Sequence, residues 1–223
     1  MVLRHDALAN SMILVAVADG VGGLDHGEVA SSMAVGALEK WWNEIEWTGM
    51  PKLDELMPDL IRCVKDANGE ICRRNAAKSV QSCTTLSVLL MSEEGYRIFH
   101  VGDSRIYCIG DGIFGAIQQL TNDHVKLMPK QVDGATIMKA YLTDCVGIQA
   151  KFQYQQVSGS YQQGEIYLVC SDGVYKTLSE KDIGKIVRRH KNKVDVACHD
   201  LIAKAKENGE TDNLTAAVVR IFS

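Results

Sequence analysis

The chain has 223 residues, 46% of them hydrophobic and 23% charged, which is typical of a globular protein and not of a disordered or fibrous one. Its 28 acidic residues outnumber its 24 basic residues, and the net charge of −4 gives no overall positive field to attract nucleic acid or anionic lipid. No apolar run approaches the roughly 20 residues that cross a bilayer, and the N-terminus lacks the features of a secretory signal. We therefore expect a cytoplasmic protein that binds neither nucleic acid nor membrane.

No linker, low-complexity tract or internal repeat marks a boundary in the chain, so we predict a single domain over residues 1–223. The seven cysteines are odd in number, scattered and without a Cys-x-x-Cys pair. This pattern argues against a disulfide framework or a structural zinc site, and it predicts reduced thiols packed in the core.

The first predicted strand covers residues 12–18, and two helices are predicted between it and the next strand. Apolar residues at helical spacing indicate these helices: Val29, Met33, Leu38 and Trp41 in the first, and Leu56, Leu60, Val64 and Ile71 in the second. Pro58 is expected in the first turn of the second helix, where its missing N–H breaks no hydrogen bond.

Three further strands are predicted at residues 84–91, 96–101 and 105–109. Only Gly102, Asp103 and Ser104 separate the last two, which predicts that they pair as a tight antiparallel hairpin. Residues 125–164 are the hardest to interpret and contain four glycines, so we expect a mobile surface segment there.

A strand is predicted at residues 166–170, followed by a helix for which Ser179 is a suitable N-cap. Another helix is predicted from about residue 194 to residue 206, ending near Gly209, and a last strand at residues 214–222. This order of elements favours an α+β fold, with helices outside antiparallel sheets, over a doubly wound parallel fold.

An apolar strand runs directly into an aspartate at three places in the chain. These aspartates are Asp19, Asp103 and Asp172, and a fourth, Asp212, lies just before the last strand. If the strands share a core, a rigid sheet holds these four carboxylates close together. Ionised carboxylates repel one another, so such a cluster is costly unless a cation neutralises it.

Hard divalent cations such as Mg²⁺ and Mn²⁺ suit a set of aspartates without paired His or Cys. Two such ions, about 4 Å apart, would activate a water molecule and hold a phosphoryl group. Gly20 follows the first aspartate, and its carbonyl can approach a metal because no side chain blocks it. A single Asp-Gly pair is more often only a turn, but the repeated strand-to-aspartate pattern favours a metal site.

Six motifs occur in order along almost the whole chain: Asp19-Gly20-Val21-Gly22-Gly23 with Gly27-Glu28-Val29-Ala30-Ser31, Ser82-Cys83-Thr84-Thr85, Val101-Gly102-Asp103-Ser104-Arg105, Leu120-Thr121-Asn122-Asp123-His124, Cys170-Ser171-Asp172-Gly173, and Thr211-Asp212-Asn213-Leu214-Thr215. Together they resemble the motifs of metal-dependent serine/threonine protein phosphatases, the PPM or type 2C group, in its bacterial stand-alone form.

The resemblance implies a sandwich of two antiparallel β-sheets flanked by α-helices, with a binuclear Mn²⁺ or Mg²⁺ centre at one end. By the family pattern, Asp19 bridges both metals and Gly20 lends its carbonyl to one of them. Asp172 and Asp212 complete the coordination of the other. Asp19, Asp172 and Asp212 are therefore the predicted catalytic residues.

The N-terminus departs from the family pattern, in which a phosphate-binding Arg stands five residues before an Asp. Asp6 fits that Asp and is expected at the metal site, but Met1 stands in place of the Arg. Arg4 is the substitute that we predict for phosphate binding, since a guanidinium binds phosphate through two hydrogen bonds.

Other departures concern the third metal and the proton donor. By family analogy Asp103 helps Asp172 to hold a weak third metal, but the acid expected four residues after Asp172 is Lys176. Val21 replaces a His that is a proposed general acid in many members, which leaves His26 as a candidate. The segment between residues 124 and 147, which the family uses as a flap beside the cleft, looks shortened.

The predicted function is hydrolysis of phosphoserine and phosphothreonine in proteins by a water molecule that two Mn²⁺ or Mg²⁺ ions activate. The alternative is a pseudophosphatase that binds a phosphoprotein or a regulator without turnover, which the missing N-terminal Arg and Lys176 favour. Members of this type usually oppose a serine/threonine kinase in a bacterial cytoplasm. The expected partners are therefore phosphorylated proteins that such a kinase produces.

Overall fold

The computed structural model describes residues 1–7, 10–21, 26–47, 49–112, 116–132 and 135–221. The strands in these ranges are β1 (Val2–Ala7), β2 (Asn10–Val17), β3 (Leu86–Ser92), β4 (Gly95–Val101), β5 (Arg105–Ile109), β6 (Ile117–Gln119), β7 (Val125–Val132), β8 (Ala135–Leu142), β9 (Gln155–Gly159), β10 (Ile166–Cys170) and β11 (Ala216–Arg220). The helices are α1 (Gly27–Asn43), α2 (Leu53–Lys78), α3 (Asp172–Thr177), α4 (Glu180–Arg189) and α5 (Val194–Glu207).

Two antiparallel sheets pack face to face and carry helices on their outer sides. One sheet has five strands in the order β1-β2-β3-β4-β9, and the other has four in the order β11-β10-β5-β6. The helices α1 and α2 cover the first sheet, and α3, α4 and α5 cover the second. The predicted α+β sandwich is confirmed.

Strand β10 shows why the central strands are apolar along their whole length. Its side chains point alternately to the two faces of the sheet, as the pleat of any strand requires. Tyr167 and Val169 pack between the two sheets, while Ile166, Leu168 and Cys170 pack against the outer helices. All five residues are buried, so the run contains no polar position.

The helices agree with the prediction in position but differ in detail. All four apolar residues predicted for α2 are buried, whereas the buried stripe of α1 consists of Ala30, Ala34, Leu38 and Trp42. Of the residues predicted for α1, only Leu38 is fully buried, because the two small alanines face the sheet instead of the larger side chains beside them. The N-cap of α4 is Ser179, as predicted, and its hydroxyl accepts the Asp182 N–H.

The position predicted for Pro58 is wrong. Helix α2 begins at Leu53, so Pro58 lies in its second turn and not in the first. At that depth the missing N–H removes a hydrogen bond to the carbonyl of Asp54, four residues earlier in the helix.

The predicted hairpin at Gly102 is also wrong, since β4 belongs to the five-stranded sheet and β5 to the four-stranded one. The three residues between them carry the chain from one sheet to the other. Gly102 has a φ of 105°, and the buried Ser104 hydroxyl lies 2.7 Å from the Thr85 hydroxyl. These contacts fix a corner between the sheets, so a connection of hairpin length does not produce a hairpin here.

Residues 125–164, expected to form a mobile segment, contain three strands. Strands β7 and β8 form a hairpin that pairs with no other strand in the described part of the chain, and β9 completes the five-stranded sheet. Apolar and polar side chains are both exposed on this hairpin, including Leu127 and Met138. Without a buried face there is no alternation of apolar residues to reveal the strands.

Strands β1 and β6 and the short helix α3 have no counterpart in the prediction. The elements that were predicted outside residues 125–164 lie within a few residues of their predicted bounds, although Phe222 of the last predicted strand is outside the described residues. All seven cysteines are free; Cys83, Cys145 and Cys170 are buried, and the other four are half-buried.

Among the helices described, none combines the length and the apolar character needed to cross a membrane.

Candidate functional site

Four aspartates meet at one end of the sandwich, each at the end of a strand. Asp19 follows β2 and Asp103 follows β4 in the five-stranded sheet, while Asp172 follows β10 and Asp212 precedes β11 in the other. Electrostatic interaction connects Asp19 with the three others, as expected only for close neighbours. We call these four residues the carboxylate cluster.

The Thr84–Thr85 segment holds Asp19 in place from the neighbouring strand. The Asp19 N–H donates to the Thr85 hydroxyl at 3.1 Å, and the Thr85 N–H donates to the Asp19 carbonyl at 2.9 Å. Gly20 forms a β-bridge with Thr84, and the Val21 N–H donates to the Cys83 carbonyl at 3.0 Å. The backbone after β2 is therefore fixed by hydrogen bonds to the segment just before β3.

Gly20 must be a glycine because the first residue of α1 packs against it. A Cβ atom at Gly20 would lie 2.3 Å from the carbonyl carbon of Gly27. His26 begins that helix with a left-handed backbone, and its imidazole is exposed, with Nδ1 3.4 Å from Glu28. Gly22 and Gly23 of the predicted motif lie outside the described residues.

Ser171 brings Asp172 and Asp212 together. Its N–H donates to the Thr215 carbonyl at 3.0 Å, and its hydroxyl accepts the Thr215 N–H at 3.1 Å. These bonds join Ser171, just after β10, to Thr215, which lies just before β11 and three residues after Asp212. The antiparallel register of the two strands thus makes the two aspartates neighbours.

Asp103 is held by residues to which the sequence assigned no role. The Tyr175 hydroxyl donates to the Asp103 carbonyl at 2.8 Å, and the Arg105 guanidinium stacks 3.5 Å from the centre of the Tyr175 ring. Arg105 also donates three hydrogen bonds of 2.7–3.2 Å to the Asp123 carboxylate. Arg105 and Asp123 belong to the recognised motifs, but only the folded chain shows that they support Asp103.

The carboxylate cluster carries more negative charge than its surroundings balance. Burial, with the charges of the other three aspartates, raises the pKa of Asp19 to about 7. Burial, with the charges of Asp172 and Asp123, raises the pKa of Asp103 to about 6. Both shifts oppose ionisation, because burial and neighbouring negative charge each disfavour the charged form of a carboxylate.

The Lys176 side chain places a positively charged ammonium group against the carboxylate cluster. Its Nζ lies 2.5 Å from Asp172 Oδ2 and 3.3 Å from Asp212 Oδ2. The other Asp172 oxygen, Oδ1, is buried and accepts no hydrogen bond from any residue that the structure describes. An unpartnered buried carboxylate oxygen is costly, and it is the kind of ligand that a hard cation would satisfy.

The prediction that Arg4 and Asp6 belong to the site is wrong, because both lie far from the carboxylate cluster. Strand β1 pairs with β2 so that Arg4 is opposite Ile13 and Asp6 is opposite Ser11. At about 3.3 Å per residue, these positions are roughly 20 and 26 Å along β2 from Asp19. Arg4 forms an exposed ion pair with Asp6 at 2.8 Å. Neither residue reaches the carboxylate cluster in this structure.

The arrangement is chemically suited to a hard divalent cation. Carboxylate oxygens are the ligands that such an ion prefers, and the cluster offers them without sulfur or imidazole. Within the described ranges, no three His, Cys, Asp or Glu side chains already surround a common point as they do in a formed metal site. The Lys176 ammonium takes up one oxygen each of Asp172 and Asp212, so a cation would have to compete with it.

Comparison with known proteins shows similarity over nearly the whole chain. The profile of the protein phosphatase 2C family matches residues 3–215. The serine/threonine phosphatase stp of Listeria welshimeri is 30% identical over 219 residues, which cover 92% of this chain and 83% of that protein.

Solved structures share the fold at lower identity. The serine/threonine phosphatase of S. agalactiae superposes with a TM-score of 0.80 at 24% identity, covering 99% of this chain and 92% of that one. The catalytic domain of the serine/threonine protein phosphatase PstP, in complex with two manganese ions, superposes with a TM-score of 0.69 at 24% identity, covering 100% and 91%. The architecture of this chain is therefore that of known phosphatases.

Proposed function

The chain belongs to the protein phosphatase 2C family, and we propose that it hydrolyses phosphoserine and phosphothreonine esters in proteins with two Mn²⁺ or Mg²⁺ ions. The observation that carries this proposal is the carboxylate cluster. Four aspartates from two sheets converge there, and burial together with negative charge from neighbouring aspartates raises the pKa values of Asp19 and Asp103. Bound cations would relieve the repulsion between these carboxylates, and perturbed pKa values of this kind are common at functional sites.

We propose that Asp19, Asp172 and Asp212 hold the two cations with the Gly20 carbonyl, and that Asp103 lies beside them. When bound, two divalent cations supply positive charge for the phosphate oxygens and acidify a water molecule. The chemistry that such a pair of cations would supply is attack of water on phosphorus, with the serine or threonine alkoxide as the leaving group. Relatives with solved metal sites support the choice of ion, since PstP was solved with two manganese ions.

The supporting residues act by fixing the ligands before substrate arrives. Thr85 holds the Asp19 backbone, Ser171 holds Asp172 next to Asp212, and Tyr175 holds the Asp103 backbone. Ligands on rigid strand ends need little rearrangement during the reaction. This preorganisation is a main source of catalysis at such sites.

The exposed imidazole of His26 is our candidate for giving a proton to the leaving alkoxide. It stands directly before Gly27, whose backbone packs against Gly20, the residue after Asp19. Arg4 has no part in this proposal, because it lies opposite Ile13, six residues along the chain from Asp19.

For the partners we propose phosphoproteins produced by a serine/threonine kinase, in the cytoplasm of a bacterium. The names of the Listeria relatives support a serine/threonine phosphatase, and they match 92% of this chain. The family profile extends from residue 3 to residue 215, which supports one catalytic domain.

The proposal is tested by hydrolysis of a small aryl phosphate and of a phosphothreonine peptide, each with and without Mn²⁺. We expect Mn²⁺-dependent release of phosphate by the wild type and a loss of at least about a hundredfold in Asp172→Asn, since a ligand carboxylate is removed. Asp59→Asn is the matched control, because Asp59 is exposed on α2 and pairs only with Arg62 among the contacts described. Its activity should equal that of the wild type.

Calorimetric titration with the same phosphopeptide distinguishes the pseudophosphatase alternative. Tight binding of the peptide without release of phosphate, in the presence of Mn²⁺, would show binding without turnover. Activity that is indifferent to Mn²⁺ and to Asp172→Asn would contradict both the metal centre and its assignment.

A further inference from the structure

The position of Lys176 has a consequence for metal binding. Lys176 lies one helical turn after Asp172 on α3, so its side chain returns along the helix to the carboxylate cluster. It contacts Asp172 at 2.5 Å and Asp212 at 3.3 Å, and these two aspartates come from different strands. One ammonium group therefore connects the two halves of the site that β10 and β11 provide.

Among the ion pairs of the described residues, those of Asp172 and Asp212 are both formed by Lys176. Arg105 is close to Asp103 through Tyr175, but its guanidinium is engaged by three hydrogen bonds to Asp123. Lys176 acts electrostatically on Asp19 and Asp103 as well, lowering the pKa that burial and neighbouring charge would otherwise give them. It reduces the formal charge of the four aspartates from −4 to −3.

The same contacts set Lys176 against a divalent cation. A carboxylate oxygen that accepts a short hydrogen bond from an ammonium is a weaker ligand for a metal ion, and the ammonium also repels the ion. The Asp172 side chain is 14% exposed, whereas that of Lys176 is 47% exposed on a flexible four-carbon stem. Lys176 can leave the cluster toward solvent, while Asp172 cannot.

We infer that the Lys176 ammonium is a built-in counter-ion, which holds Asp172 and Asp212 together in the metal-free protein and competes with divalent cations for their oxygens. This inference rests on the proposed function, because it assumes that the cluster binds divalent cations. It predicts that metal-free stability and metal affinity change in opposite directions when the charge is removed.

The test compares Lys176→Met with the wild type by two measurements that do not depend on activity. In EDTA, the melting temperature of Lys176→Met should fall, because the aspartates then repel one another unscreened. In calorimetric titration, its Mn²⁺ dissociation constant should fall on the order of tenfold, because the competing charge is gone.

Two further variants separate charge from packing. Lys176→Arg keeps the positive charge and should restore the metal-free melting temperature, and Lys181→Met removes an exposed lysine of α4 and should change neither quantity. If Lys176→Met does not fold in EDTA, Lys176→Gln replaces it, with the same expectations.

An unchanged Mn²⁺ dissociation constant in Lys176→Met overturns the inference, and so does weaker binding, which is what a purely structural role would cause. Wild-type protein that binds Mn²⁺ and releases phosphate while Lys176→Met binds Mn²⁺ equally well refutes only the role of Lys176. Wild-type protein that neither binds Mn²⁺ nor releases phosphate refutes the proposed function itself.

Discussion

Arg105 supports the site although it touches none of the three proposed metal-binding aspartates. Its guanidinium packs on the Tyr175 ring and forms a forked ion pair with Asp123, whose side chain is 18% exposed. Tyr175 in turn holds the backbone of Asp103. The geometry of the cluster therefore depends on a half-buried ion pair behind it.

Replacing Arg105 should cost stability as well as activity. We expect Arg105→Met to lower the free energy of unfolding by about 2–4 kcal/mol, because it leaves the half-buried Asp123 carboxylate without its ion-pair partner, with only the hydrogen bond from Gln119 among the contacts described. Urea denaturation measures this quantity. Arg62→Met is the control, since the exposed ion pair of Arg62 with Asp59 should contribute less than about 1 kcal/mol. Equal losses in the two variants would contradict the role given to Arg105.

The raised pKa of Asp19 predicts how the stability of the metal-free protein depends on pH. Its pKa is about 7 in the folded state against an ordinary value of 3.8. Between these values the unfolded chain has lost the proton and the folded protein still holds it, so rising pH favours the unfolded state. In EDTA, Asp19→Asn should therefore stabilise the protein, by an amount that grows from about pH 4 to about pH 7 and then levels off.

The measurement is the difference in free energy of unfolding between Asp19→Asn and the wild type across that range. His100, whose pKa burial lowers to about 4, titrates in both proteins, so its contribution cancels in the difference. A stabilisation that is the same at every pH would show that Asp19 ionises normally in the folded protein.

Among the elements, the corner between β4 and β5 does most to position the site. Gly102 takes a φ of 105°, and a Cβ atom there would lie 2.6 Å from the Thr85 side chain. Thr85 is also the residue that holds the Asp19 backbone. The corner thus connects Asp103 of one strand end with Asp19 of another.

Gly102→Ala should lower the free energy of unfolding by about 2 kcal/mol or more, from backbone strain and from the contact with Thr85. Gly36→Ala is a matched change in the exposed interior of α1, where a Cβ atom meets nothing within 4 Å. That variant should gain about 0.5–1 kcal/mol, because alanine favours the helix. Thermal unfolding of both variants checks the contrast, and a neutral Gly102→Ala would contradict the corner as described.

The sequence predicted the positions of the strands better than it predicted which strands pair with each other. Strands 105–109 and 166–170 were predicted with the bounds that the structure gives them, because their apolar residues form nearly continuous runs that are fully buried in β10 and mostly buried in β5. Pairing depends on distant parts of the chain, and the supposed hairpin at Gly102 joins two different sheets. The exposed hairpin of β7 and β8 was missed because it has no buried face.

At the scale of the whole molecule, the sandwich places the ends of strands from two sheets side by side. The sequence predicted Asp19, Asp103, Asp172 and Asp212 because each stands at the end of an apolar strand, which is a local pattern. The prediction for Arg4 failed because the register of β1 against β2 decides which end of the sheet it reaches.

Tertiary structure alone could reveal the contacts around the cluster. Nothing in the spacing of Lys176 shows that its ammonium reaches Asp212, 36 residues away. Nothing in the spacing of Tyr175 shows that its hydroxyl reaches Asp103, 72 residues away. Both contacts require the four-stranded sheet and α3 to be in place first.

The central claim is that the sandwich assembles strand-end aspartates into a centre for two divalent cations. The most direct measurement is anomalous diffraction at the manganese edge from crystals grown with Mn²⁺. We predict two anomalous peaks among Asp19, Gly20, Asp172 and Asp212, with the Lys176 ammonium moved away from the aspartate oxygens. Saturating Mn²⁺ with no anomalous peak at these residues, or with peaks only elsewhere, would contradict the claim.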